Sequence, residues 1–221
     1  MKTWQFILIL ILLCGLGIFL LLIFLGYVLK IPKKETGSTR SATVPPSMST
    51  PRIDPARDTI MGSRTAPVTI VAYMDFGCAH CTSMSTILDT LLAREKEAVR
   101  LVWKDVPRLT QQGSIDAHVA GRCAHEQNRF ADYRRLLYER QPNFSSVQLR
   151  TYATTLGLNL PRFTACQERE DHRTQFGAIR EEVDALGLTG TPTVFINNKR
   201  VDGEVSLETL QNIISTAKNK K

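Results

Sequence analysis

Residues 67–81 read PVTIVAYMDFGCAHC. Val68 to Met74 is an almost unbroken apolar, β-branched run, the pattern of a strand covered on both faces. Asp75-Phe76-Gly77 interrupts it. Cys78-Ala79-His80-Cys81 then opens a segment in which Met84, Ile87, Leu88, Leu91 and Leu92 recur at helical spacing. Val99 to Val106 reads as a second strand, stopped by Pro107. The three segments form a β-α-β unit, with the two cysteines where the first strand hands over to the helix.

Downstream, a helical stretch is predicted from about 114 to 186. Ala120, Cys123, Ala124, Phe130, Ala131 and Leu137 fall at helical spacing, although Gln127 and Arg134 interrupt that face. Further helical segments are predicted over 146–156 and 174–186. Trp103 and Phe130 read as core, whereas His118, His125 and His172 read as surface or partly buried helix positions. Gly190-Thr191-Pro192 leads into Thr193-Val194-Phe195-Ile196, a turn at Asn197-Asn198, and Lys199-Arg200-Val201, which is a hairpin signal. Ser206 caps a last amphipathic helix built on Leu207, Leu210, Ile213 and Ile214. The order βαβ, helices, ββα predicts an α/β fold with a helical insertion at about 108–186.

Upstream the composition changes. The chain has 221 residues, 43% hydrophobic and 22% charged, a balance that excludes collagen, coiled-coil and disordered classes. Phe6 to Leu29 carries no charge over 24 residues. At about 1.5 Å per residue it matches the ~30 Å hydrocarbon core, and it is longer than the apolar stretch of a cleaved signal peptide. Residues 1–30 are therefore expected to form an N-terminal transmembrane anchor. Cys14, inside it, reads as a passive membrane residue. Residues 31–55, with five prolines among many Ser and Thr, read as a linker, and 56–221 as the folded domain. The net charge of +7 sits mainly near the anchor: residues 1–53 hold six basic groups and one acid. The remainder is nearly neutral, so a nucleic-acid footprint is not supported.

Two thiols at i and i+3 in the first turn of a helix can close a disulfide. Cys78 lies where unpaired backbone N–H groups and the helix dipole favour an anion, so its pKa is expected below the ~8.5 of a free thiol. It would be the attacking sulfur, and Cys81, one turn deeper, the resolving one. His80 adds a donor between them. Stabilising the Cys78 thiolate stabilises the reduced form and makes the disulfide a stronger oxidant. The same Cys-x-His-Cys string could instead be half of a metal site. Zinc commonly takes two such pairs, however, and Cys123-Ala124-His125 sits mid-helix without a second knuckle.

The chain from about Ile60 onward resembles the DsbA-like thiol:disulfide oxidoreductase branch of the thioredoxin superfamily. The resemblance rests on Ala66-Pro67-Val68-Thr69-Ile70-Val71, Asp75-Phe76-Gly77-Cys78-Ala79-His80-Cys81, Arg122-Cys123-Ala124-His125-Glu126-Gln127 and Gly190-Thr191-Pro192-Thr193. It implies a thioredoxin fold with an inserted helical domain. It implies Cys78 and Cys81 as the redox pair and His80 as the thiolate-stabilising histidine. Pro192 matches the superfamily's cis proline, with Thr191 before it as a strand edge for substrate. Cys123 and Cys166 match a structural disulfide that some members carry. Position 72, where thioredoxin-like proteins often bury a proton-moving carboxylate, is Ala here, and Asp75 is not equivalent to it.

The function expected from residues and resemblance together is a membrane-tethered protein-disulfide oxidase. It would donate the Cys78–Cys81 disulfide to reduced exported proteins, with no other cofactor and no metal. A DsbB-type membrane partner would reoxidise it, and its catalytic domain would lie on the periplasmic side of the inner membrane. Lys30, Lys33 and Lys34 after the anchor point the opposite way in topology. Thr191 and Ala79 depart from the best-known oxidase pattern, which leaves an isomerase or reductase open. From another class, a tethered zinc- or copper-binding module using Cys78, His80 and Cys81 remains.

Overall fold

A computed structural model of the chain describes residues 3–30, 48–203 and 205–218. The chain divides into two compact units, 1–43 and 44–221. In the first, α1 runs Thr3–Lys30. Its described side chains include an apolar, exposed stretch at 13–26. Among the described residues no helix is long and apolar enough to cross a membrane. The rest of the charge-free run, at 6–12 and 27–29, lies outside the described side chains, as does most of the expected linker.

The second unit contains β1 (Thr59–Gly62), β2 (Val68–Met74), α2 (Ala79–Arg94), β3 (Val99–Asp105), α3 (Gln112–His125), α4 (Phe130–Glu139), α5 (Ser146–Thr155), α6 (Leu160–Gln167), α7 (Asp171–Ala185), β4 (Thr193–Ile196), β5 (Lys199–Asp202) and α8 (Leu207–Lys218). The sheet order is β1-β3-β2-β4-β5. β2 and β3 run parallel, and β4 pairs antiparallel with β2, placing Thr193 beside Tyr73. This is the thioredoxin arrangement with its insertion. β1 is a strand that periodicity does not announce, because Thr-Ile-Met-Gly is too short to show alternation. Gly62 closes it at φ +88°, where an added Cβ would stand 2.6 Å from the Val99 carbonyl oxygen.

The unbroken apolar run of β2 has its reason in the two cores. Ile70, Ala72 and Met74 pack with Met84, Leu88 and Leu91 of α2 and with Leu210 and Ile214 of α8. Val71 and Tyr73 face the other way, onto Ile179 and Val183 of α7. The predicted turn at Asn197-Asn198 joins β4 to β5, with Asn197 at φ 52°, a left-handed conformation that Asn tolerates. Ser206 Oγ accepts the Thr209 N–H at the start of α8.

The expected helical stretch is five helices, and its buried polar residues correct the sequence reading. Arg134 does not break the buried face of α4. It is 0% exposed, donates to Ser85 Oγ and Asp89 of α2, and holds its guanidinium 5.3 Å over the Trp103 ring. His118, read as a surface or partly buried position, is also 0% exposed. Around Trp103, the rings of Phe76 and Phe130 each lie 5.6 Å away, tying the sheet to the insertion.

The described end of the expected linker is hydrogen-bonded to the folded unit. Met48 N–H bonds to the Ala185 carbonyl and Arg52 N–H to Glu182 Oε1, so residues 48–55 lie along α7. Backbone hydrogen bonds hold what the composition alone cannot. Beneath them the Lys104 ammonium sits between Asp58 (2.9 Å) and Glu182 (3.3 Å), all three buried.

Cys123 of α3 and Cys166 of α6 are joined by a disulfide with Cα atoms 5.7 Å apart. In the chain-entropy picture a loop with their sequence separation of 43 contributes about 4 kcal/mol. The double substitution Cys123→Ala/Cys166→Ala should lower the urea-unfolding free energy by about 2–5 kcal/mol, and an unchanged midpoint would show the bridge to be incidental. Trp103→Ala should cost about 3–5 kcal/mol in the same measurement, with loss of near-ultraviolet dichroism.

Candidate active site

β2 ends at Met74 and α2 begins at Ala79, so the sequence between them must turn at the end of the sheet. Asp75 makes the turn: its carboxylate Oδ1 accepts the Gly77 N–H at 2.8 Å and its carbonyl accepts the Cys78 N–H at 3.1 Å. Cys78 is the N-cap residue of α2, with extended backbone at φ −95° and ψ 120°. Its position puts the sulfur at the end of the helix where unpaired N–H groups gather. No acidic residue lies in the first turn. Cys81 follows within that turn, its N–H bonded to the Cys78 carbonyl at 3.1 Å.

The two thiols differ in environment. Both are free, with Cys78 8% exposed and Cys81 0% exposed. Burial pushes the Cys81 thiol well up from its ordinary pKa, against hydrogen bonding to the Asp75 backbone and to Thr191. Cys78 Sγ donates to the Thr191 carbonyl at 3.3 Å. The Thr191–Pro192 bond is cis, and the loop is braced by Thr193 Oγ1 on the Gly190 carbonyl and by the Gly203 N–H on the Pro192 carbonyl. Cys78, Cys81, Thr191 and Pro192, distant in sequence, thus meet at one end of the sheet. His80 is exposed on the first turn of α2. A groove of about 540 Å³ runs past Cys78 and Thr191, walled by Tyr73, Arg108, Arg180 and Val183.

Two sets of residues at the site escape sequence reasoning. Gln141, in the turn after α4, donates through Nε2 to the carbonyls of Phe76 and Cys78 and accepts from Thr82 Oγ1. Nothing in its neighbourhood marks it, because its partners lie some 60 residues away. The second set is Asp75, Asp105, His118 and Arg122, which form a buried chain behind the loop. Arg122 beside Asp105, with His118 hydrogen-bonded to it, outweighs burial and holds that carboxyl at about 2. The one signal for this set in the sequence is polar residues at helical spacing on an otherwise apolar α3.

Among the described residues, the cluster of metal-ligating types with atoms close enough to share an ion is Cys123, Cys166 and His172. The two sulfurs there are bonded to each other, so they offer no thiolate. What the Cys78–Cys81 arrangement can do chemically is exchange. One sulfur borders a groove and the Thr191 carbonyl, and a second follows it in the same helical turn to close a disulfide on it.

Comparison with known proteins agrees with this architecture. The family model described as thioredoxin matches residues 55–216. Among curated proteins, a Na(+)/H(+) antiporter NhaA of Salinispora tropica is 35% identical over 169 residues, covering 75% of this chain and 25% of that protein. One of Herminiimonas arsenicoxydans is 29% identical over 180 residues, covering 78% and 28%. The chain thus spans about a quarter of the length of the curated relatives it matches. Among solved structures, the thiol-disulfide exchange protein alpha-DsbA2 of Wolbachia pipientis superposes with a TM-score of 0.67 at 18% identity, covering 72% of this chain and 86% of that one. Oxidised BdbD of Bacillus subtilis gives 0.67 at 18% identity, covering 76% and 96%. A thioredoxin-like oxidoreductase of Silicibacter pomeroyi gives 0.68 at 23%, covering 75% and 94%. By the family match over most of its length, the chain belongs to the thioredoxin family.

Proposed function

We propose that the protein is a membrane-tethered thiol–disulfide oxidoreductase working as an oxidase on exported proteins. The observation that carries this reading is the placement of Cys78: N-cap of α2, sulfur on the groove against the Thr191 carbonyl, with Cys81 buried behind it. A thiolate at 78 is favoured by the helix terminus, and each tenfold gain in its stability is worth about 1.4 kcal/mol, or about 30 mV toward the oxidising side. His80, on the same turn, adds a donor and, when protonated, a positive charge.

The proposed reaction runs through the two sulfurs in turn. With Cys78 and Cys81 joined, a substrate thiolate attacks Cys78 Sγ, and the electron pair of the S–S bond leaves on Cys81. The substrate backbone lies extended against Thr191, adding a strand at the edge that precedes Pro192. A second substrate thiolate attacks the first substrate sulfur. The substrate disulfide forms, and Cys78 leaves as the stabilised thiolate. The disulfide itself is the redox group. A membrane protein of the DsbB type would take the electrons back out.

The setting rests on other observations. A buried Cys123–Cys166 bridge belongs to an oxidising compartment, which favours the extracytoplasmic side of the inner membrane over the side that the lysines would choose. The 24-residue apolar run supplies the tether. The curated relatives are named as Na(+)/H(+) antiporters, and a thioredoxin unit carried at a membrane fits the company of an ion antiporter.

Equilibration of the Cys78–Cys81 pair with glutathione buffers should give a reduction potential well on the oxidising side of the about −270 mV of thioredoxin, and a value near −270 mV would favour a reductase or isomerase instead. In cells, Cys81→Ala should accumulate mixed disulfides with exported proteins, and Cys78→Ser/Cys81→Ala should abolish them. Stoichiometric zinc or copper retention with no captured protein would establish the metal module instead.

A further inference from the structure

The exchange reaction leaves one proton unaccounted for. Cys81, buried and protonated, must lose its proton before its sulfur can close the disulfide, and Ala72, 0% exposed, offers no carboxylate beneath it. Behind the loop, however, His118 of α3 is 0% exposed and caught between two acids. Its Nδ1 lies 2.8 Å from Asp105 Oδ1, and its Nε2 lies 3.4 Å from Asp75 Oδ1 and 3.2 Å from the Phe76 N–H. In the neutral ring, Nδ1–H donates to Asp105 and Nε2 accepts from Phe76. In the protonated ring, Nε2–H turns to Asp75. Two hydrogen-bond sets are thus built for two protonation states of one ring.

The surroundings balance the charge. Asp105 is paired with Arg122 at 2.7 Å, while Asp75 Oδ2 has Arg108 at 3.9 Å, a half-exposed side chain on the groove. Two carboxylates against one close guanidinium leave a negative charge that a protonated His118 cancels. Burial works against the charge on His118, but its bonds to Asp105 and Asp75 raise its pKa above the ordinary value. For Asp75, His118 likewise outweighs burial and lowers it. Two further titratable neighbours bear on the cluster: Tyr138, whose hydroxyl is 3.5 Å from the Asp75 carbonyl and whose burial keeps it neutral, and His125, which feels Arg122 and Asp105 and whose pKa burial lowers. Asp75 meets the two sides by different groups: the residue lines the groove beside Cys78, its backbone is hydrogen-bonded to Cys81, and its carboxylate takes the Gly77 N–H, Ser114 Oγ and His118 Nε2 behind the loop.

We propose that Asp75 and His118 are the proton station of the Cys78–Cys81 dithiol, standing in for the carboxylate that position 72 lacks. This rests on the thiol-exchange reading. In oxidation by glutathione disulfide, the Cys78 thiolate attacks one sulfur and a glutathione thiolate leaves with the electron pair. Asp75 takes the Cys81 proton and His118 holds it. The Cys81 thiolate attacks Cys78 Sγ, and the second glutathione thiolate leaves. Two electrons pass from the cysteines to glutathione, and one proton is released from the station through the groove. Asp75 and His118 are positioning and proton-holding groups; the sulfurs make and break the bonds.

The test uses the full reduced chain in detergent, mixed with glutathione disulfide and acid-quenched, so that mixed-disulfide formation and its resolution by Cys81 are separate phases. In the unaltered protein the resolution rate should be level at alkaline pH and fall as His118 becomes charged, beginning above the ~6.5 of an ordinary imidazole. His118→Gln and Asp75→Asn should resolve at least ~10-fold more slowly at neutral pH. Their rates should then climb about tenfold per pH unit, as hydroxide replaces the station, and meet the unaltered rate at high pH. If His118→Gln does not fold, Asp75→Asn carries the test, because its amide oxygen still accepts from Gly77 and Ser114. Rates in the variants that match the unaltered protein, or that lie below it by the same factor at every pH, would overturn the proton station. Absence of the first phase in the unaltered protein would instead overturn the exchange reading beneath it.

Discussion

The contact between Cys78 Sγ and the Thr191 carbonyl joins segments 113 residues apart. The layout of the candidate site follows from holding those two atoms together. The pairing of β4 with β2 brings Thr193 beside Tyr73, and so brings the residues just before β4 alongside those just after β2. The two-sided burial of β2 fixes where Asp75 must turn, and that turn sets Cys78 at the head of α2. An error of one residue in the register of β4 would move every side chain of that strand to the opposite core and carry the Thr191 carbonyl away from the sulfur.

The elements legible in the sequence are those whose cause is local. The apolar run 68–74, the helix with Met84, Leu88 and Leu91 on one face, the Asn197-Asn198 turn and the Ser206 cap each announce themselves within a few residues, and the structure has them. Cys78 and Cys81 stand out for the same reason. The resemblance supplied what spacing could not: the partnership of Cys123 with Cys166 and the company of Thr191 and Pro192.

Where the reading failed, the cause lies in long-range pairing of polar groups. Arg134 looks like an interruption of an apolar helix face, and His118 like a surface or partly buried position, because a sequence shows only that they are polar. Each is buried because a partner from a remote element meets it: Asp75 and Asp105 for His118, Ser85 and Asp89 for Arg134. The same holds for Gln141, whose side chain clasps two carbonyls of the active loop. Residues 48–55 look like free linker for the opposite reason, since their hydrogen bonds to α7 are made by backbone N–H groups that no composition reveals.

The seating of that segment has a mechanical side. Met48 and Arg52 are fastened to Ala185 and Glu182, at the C-terminal end of α7, while Arg180 and Val183 of the same turns form a wall of the groove beside Cys78. Any displacement of this seated segment therefore bears first on the helix that shapes the entrance to the sulfur, and the buried Lys104, gripped by Asp58 and Glu182, is the bolt that resists it.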